Sequence, residues 1–216
     1  MMMNNEKLLP RIYSIKFTHV DYPAKSEGYI LEKVKNSSLN PGISNMGMIG
    51  HYRRITPNQL TELQNNPESI VTLLFPGYEV DEVAESDGRY LNIDKTWHTL
   101  HFLLTGTALP SESPLNNVVM GGTTLSDPEN PDFDFGPARF LTPDEVQEVA
   151  KVLSKISKAD LQTRFDPSAL SVANVYPGIW KSGDDELEYL TYYYISLVKF
   201  FQEAAKCGDV VLFYIS

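Results

Sequence analysis

The apolar run Val210-Val211-Leu212-Phe213-Tyr214-Ile215 near the end of the chain restricts the fold more than any other stretch. A strand with one wet face alternates apolar and polar side chains. A run that is apolar at every position therefore predicts a central strand covered on both faces. The rest of the chain has to supply the neighbouring strands and a covering layer on each side. Asp94 to Gly106 is the strongest candidate for such cover. Trp97, Leu100, His101 and Leu104 fall at helical spacing on one apolar stripe, with His98 and Phe102 beside it. Asp94 is expected to cap the first turn and Gly106 to take the left-handed position that ends the helix. The expectation is a buried helix with two histidines at or near the core.

Other helix starts are written in the same way. Thr56-Pro57-Asn58-Gln59 follows a strand candidate, His51 to Ile55, and combines an N-cap, a proline at the first helical position and a capping-box partner. Arg139 to Val149 repeats the phrase of Arg53 to Leu63 in type, which reads as two uses of one capping solution rather than a repeat architecture. Asn66-Pro67, Ser157 to Asp160 and Asp166-Pro167 predict further capped starts, and the helix from Pro143 should bury Val146, Val149, Ala150, Leu153 and Ile156. The longest helix is predicted from Asp184-Asp185 to Cys207-Gly208, with Leu187, Leu190, Tyr194, Leu197, Val198 and Phe201 on its inner face. Tyr189, Tyr192, Tyr193 and Tyr194 surround this helix, so some must reach the surface. Asn117 to Met120 is expected to be a short buried strand closed by Gly121-Gly122, and Tyr176-Pro177-Gly178 a turn. Glu79 to Asp87 is read as a solvated acidic loop and Ser126 to Gly136 as a candidate lid. The sum is an α+β, or mixed α/β, single domain with more helix than strand and a small central sheet.

Residues 1–45 differ from the rest. They carry two short strand candidates, Tyr13 to Thr18 and Tyr29 to Leu31, and then the linker-like Lys35 to Gly42. They are read as a poorly packed N-terminal extension, upstream of a start at Met46, with 46–216 as the domain. Charge divides at the same place. Residues 1–45 have six Lys/Arg against four Asp/Glu, and residues 46–216 have twelve against twenty-four, a net −12. An acidic body repels phosphate backbones, so no nucleic acid and no membrane partner is expected, and a basic protein is the partner class favoured. No apolar run reaches the roughly 20 residues of a membrane helix. A single cysteine, Cys207, excludes an internal disulfide framework and points to a cytoplasmic setting.

The residues able to carry chemistry are few. Asp94, His98 and His101 share a helical face on which a carboxylate and two imidazoles could meet a metal or a substrate. No fourth ligand is signalled, so no metal and no cofactor is expected, and a hydrogen-bonded core histidine pair is the simpler reading. Arg139 follows a turn that could present its guanidinium to an anion, and Gly121-Gly122 could let a ligand approach the backbone. With Trp97 these residues make up the candidate pocket.

Met46-Gly47-Met48-Ile49-Gly50, Tyr52-Arg53-Arg54-Ile55-Thr56-Pro57, the Asp94 to Gly106 helix, Gly136 to Pro143, Arg164-Phe165-Asp166-Pro167 and Tyr176 to Trp180 together resemble the YfbM-like family from Met46 onward. Phe140 stands where members of that family often have Tyr. The resemblance implies a bacterial cytoplasmic α/β domain of unknown function, with no catalytic residue to carry over. The functional expectation is a non-enzymatic binding module of immunity or accessory type with an acidic surface. The alternative is an enzyme for a small anionic substrate, built on the His98/His101 helix and Arg139. A remote variant of that alternative is an ADP-ribosyl-transfer site formed from His51 or Arg54, the strand end at Phe140 to Thr142, and Glu186 with Glu188.

Overall fold

The computed structural model describes residues 47–75, 87–126, 135–180 and 184–216. The strands expected at Tyr13 to Thr18 and Tyr29 to Leu31, nearly all of the acidic loop 79–87 and most of the lid segment 126–136 lie outside them. Five strands form one antiparallel sheet: β1 (Gly50–Ile55), β2 (Tyr90–Asn92), β3 (Thr123–Thr124), β4 (Arg139–Leu141) and β5 (Val210–Ile215). Their order is β2-β1-β5-β4-β3, so the apolar terminal strand lies in the middle, as its composition requires. Its register pairs Tyr52 with Phe213 in β1, and Phe140 with Leu212 in β4.

The described residues include seven α-helices: α1 (Pro57–Asn65), α2 (Ser69–Leu74), α3 (Trp97–Thr105), α4 (Pro143–Leu153), α5 (Lys158–Arg164), α6 (Pro167–Val172) and α7 (Asp184–Cys207). Side chains alternate across β5 and divide the core in two. Val211 and Ile215 join Trp97, Leu100, Val146, Leu153, Tyr194, Leu197 and Phe201 from α3, α4 and α7. Val210, Leu212 and Tyr214 join Ile55, Leu63, Ile70 and Leu74 under α1 and α2. The result is a helix, sheet, helix sandwich, in which a strand wet on neither face is the natural centre.

The capping boxes at Thr56 with Gln59, Thr142 with Glu145 and Ser157 with Asp160 all form, and Asp166 caps α6. Three sequence expectations need correction. Asp94 does not cap the central helix. It lies in a short 3-10 turn (Asp94–Thr96) at φ 48°, and α3 starts only at Trp97 without a side-chain cap. Ile93, fully buried, anchors that turn, since Thr96 bonds back to its carbonyl. Asn117 to Met120 is not a strand. A 3-10 helix (Pro114–Val118) occupies the stretch, capped by Ser113, and the Asn116 carbonyl then accepts from Val119, Met120 and Gly121. Asn66 is not the cap of α2, which begins at Ser69 after Glu68 with no side-chain cap. Gly106, by contrast, ends α3 at φ 80° with its N–H on the Phe102 carbonyl, as expected.

Candidate functional site

The central helix α3 lies against the sheet through its first residue. Trp97 is 1% exposed, stacks on His98 and on Tyr176 with ring centroids 5.0 and 5.6 Å apart, and donates its indole N–H to the Met48 carbonyl at 3.1 Å. Tyr176 completes the clamp by accepting the Met48 N–H on its hydroxyl at 2.8 Å. Both polar groups of one backbone residue are thereby satisfied by an aromatic pair, which fixes the entry of the chain into β1. Gly50 is needed there because a Cβ would come within 2.9 Å of the Trp97 Cβ and 3.1 Å of Ile93.

The two histidines hold loops. His98 accepts the Tyr176 N–H on Nδ1 at 3.0 Å, so it carries its proton on Nε2 and donates to the Ala108 carbonyl at 2.9 Å. Thr99 adds a bond to the Tyr176 carbonyl, so the Tyr176-Pro177 turn, whose peptide is cis, is held from both sides. His101 pairs its Nε2 with the Leu109 carbonyl at 3.0 Å and leaves Nδ1 buried without a partner. Charging that ring would place an unpaired cation in the core. Burial, aided by neighbouring His98, accordingly lowers the His101 pKa to about 4 against the opposing pull of the Leu109 carbonyl, and burial lowers that of His98 as well.

This depression has a measurable consequence. A histidine with a folded pKa below its unfolded value contributes stability above about pH 6.5, which is lost as pH falls, because the unfolded chain binds the proton first. Between about pH 6.5 and about 4, His101 alone is expected to remove about 3 kcal/mol of unfolding free energy, at roughly 1.4 kcal/mol per pH unit. Urea denaturation across that range checks this, and His101→Gln should flatten the acid slope while lowering stability at pH 7.

Of the residues proposed from sequence, the structure brings Trp97 and Arg139 together. They line one cleft with Val119, Met120, Phe135 and Phe213, and neither histidine takes part. The cleft encloses about 20 Å3, room for a water molecule. Arg139 opens β4 and donates to the Gly122 carbonyl at 3.3 Å. The glycine pair serves the chain's own packing. At Gly121 a Cβ would collide with Asn117, and Gly122, at φ 86°, brings its Cα side within 2.6 Å of the Phe140 carbonyl for any added Cβ. Asp94 accepts a 2.5 Å bond from the Tyr189 hydroxyl, and burial together with that carboxylate raises the Tyr189 pKa. Among the described residues no group of three or more His, Cys, Asp and Glu side chains could hold a metal, and no helix among them is long and apolar enough to cross a membrane.

In the remote ADP-ribosyl-transfer variant, the Arg54 form does not converge. Arg54 bonds the Glu203 carbonyl near the end of α7, whereas Glu188 is in its second turn, about 22 Å away along the axis at 1.5 Å per residue. His51 is held between the Tyr90 and Ser216 hydroxyls at 2.6 and 2.7 Å. Sequence reasoning missed the buried pairing of Arg54 with Asp209, at 2.8 Å. Its one legible signal was a polar Asp209 directly before an apolar strand.

A family model described as a domain of unknown function (DUF1877) matches residues 46–214. Protein YfbM of Escherichia coli (strain K12) is 31% identical over 151 residues, covering 66% of this chain and 80% of that protein. The crystal structure of a protein of unknown function, YfbM from Escherichia coli, aligns with a TM-score of 0.58 at 23% identity, over 78% of this chain and 99% of that one. That structural likeness extends to the fold.

Proposed function

Given that the chain belongs to the DUF1877 family, whose description assigns no activity, we propose that it is a non-enzymatic binding module of the bacterial cytoplasm, of accessory or immunity type, which engages a basic protein through its acidic surface. One observation carries this reading. The layer over the α1/α2 face of the sheet, residues 57–75, contains no Lys or Arg and exposes Glu62 and Glu68. The cation that β1 places on the same face of the sheet is already engaged. Arg53 donates to the Leu73 carbonyl at 2.7 Å. Among the described residues neither Glu62 nor Glu68 has an ion-pair partner, which leaves a surface suited to steering a cationic partner.

The test is affinity capture at low salt with wild type and with the Glu62→Lys/Glu68→Lys double variant. The expected outcome is one basic protein in stoichiometric amount with wild type, released in about 1 M salt where the screening length is about 3 Å, and lost with the variant. Retention of a small molecule in its place, or capture unaffected by the charge reversal, would contradict the reading. The enzyme alternative keeps only Trp97 and Arg139 of its residues, since His98 and His101 are committed to Tyr176, Ala108 and Leu109.

A further inference from the structure

Helix α7 buries one stripe, Leu190, Tyr194, Leu197, Phe201 and Ala204, each at most 2% exposed. Its opposite face has a second, unused pattern. Asp185, Glu188, Tyr192, Ile195, Lys199, Gln202 and Lys206 are all exposed and follow one another at alternating steps of three and four residues, the spacing of a coiled-coil seam. At the middle of the stripe, Tyr192 and Ile195 are 65% and 51% exposed. Acidic side chains lie toward the N-terminal end and basic ones toward the C-terminal end. We propose that this face pairs with the same face of a second copy, the two α7 helices running antiparallel about a two-fold axis that passes between residues 193 and 194.

The sequence of the stripe is what selects a second copy. A two-fold axis at that point puts Tyr192 against Ile195 of the other copy and Glu188 against its Lys199, each contact occurring twice, as an isologous interface requires. It also sets Asp185 opposite Gln202. Among the described residues neither Glu188 nor Lys199 has an ion-pair partner within the chain, whereas Lys206 is within 3.8 Å of Glu203. A parallel arrangement would place Glu188 against Glu188 and Lys199 against Lys199, so charge selects the antiparallel one. The 24-residue helix is about 36 Å long and can pack at an interaxial distance of about 8–10 Å. The surface lies across the sheet from the acidic layer of α1 and α2, so the two proposals stand or fall separately.

Sedimentation across a concentration series of the full chain tests the pairing. Wild type should shift with concentration from 24.3 kDa toward about twice that mass. Because the symmetry counts each substitution twice, Glu188→Lys and Lys199→Glu should each weaken association on the order of tenfold. The double variant Glu188→Lys/Lys199→Glu should restore it. Ile195→Glu should leave a monomer whose circular dichroism is unchanged, since the side chain is exposed. A wild-type monomer at all concentrations would overturn the proposal. So would a dimer indifferent to Ile195→Glu, or a double charge swap that fails to restore association.

Discussion

Trp97→Ala is expected to lower the unfolding free energy by about 3–5 kcal/mol, the range for truncating a buried aromatic in a packed core. The value should fall in the upper part of that range because three losses coincide. The cavity opens beside the existing cleft, next to Val119 and Met120. The Met48 carbonyl loses its indole donor in a place where Met48 is 4% exposed, and an unsatisfied buried acceptor costs about 1–3 kcal/mol. Tyr176 loses the ring on which it stacks while still holding the Met48 N–H. Trp97→Phe keeps most of the apolar area and loses the donor, so it should cost considerably less. Urea unfolding followed by circular dichroism separates the two variants, and equal losses would show that the indole bond to Met48 dominates over volume.

Asp209→Ala is expected to destabilise the fold by a similar amount, about 3–5 kcal/mol, because removing one partner of a buried ion pair leaves the other charge without compensation. Arg54 approaches the carboxylate with Nη2 at 2.8 Å and Nε at 2.9 Å, and the two side chains are 8% and 4% exposed. The guanidinium is boxed in by the Glu203 carbonyl at 3.3 Å and by the Phe200 ring, whose centroid is 6.0 Å away. Arg89, at 3.6 Å from the same carboxylate but 40% exposed, can return to water when Asp209 is lost, so the cost comes from Arg54. The double variant Arg54→Met/Asp209→Ala, with no stranded charge, should be more stable than Asp209→Ala alone. Chemical denaturation of the three proteins checks that order.

Much of this architecture is legible in the residues. Val210 to Ile215 reads as a covered central strand because every position is apolar, and it lies between β1 and β4. The Thr56, Thr142, Ser157 and Asp166 starts are legible because a capping side chain and its partner sit within three residues of each other. The failures share a cause of the opposite kind. Asp94 has the right chemistry for a cap, yet its carboxylate is claimed by Tyr189, ninety-five residues away. Asn117 to Met120 looks like a strand by composition, while Ser113-Pro114 just upstream starts a 3-10 helix whose geometry the Asn116 carbonyl then closes. Of the candidate site, the sequence places Trp97 and Arg139 in the set and the fold joins them. It offers no means of seeing that His98 and His101 would reach Tyr176, Ala108 and Leu109, because partner choice across loops is fixed by packing and not by spacing.

That use of the histidines as neutral struts is tested most directly by NMR titration of the two imidazoles. Neither ring should titrate near the ordinary value of about 6.5. His101 should stay neutral until about pH 4, His98 should keep its proton on Nε2 throughout the neutral range, and neither should respond to added phosphate. Titration of both rings near 6.5, with shifts on adding phosphate or a carboxylate probe, would contradict the structural role and return the central helix to the position of a substrate-binding element.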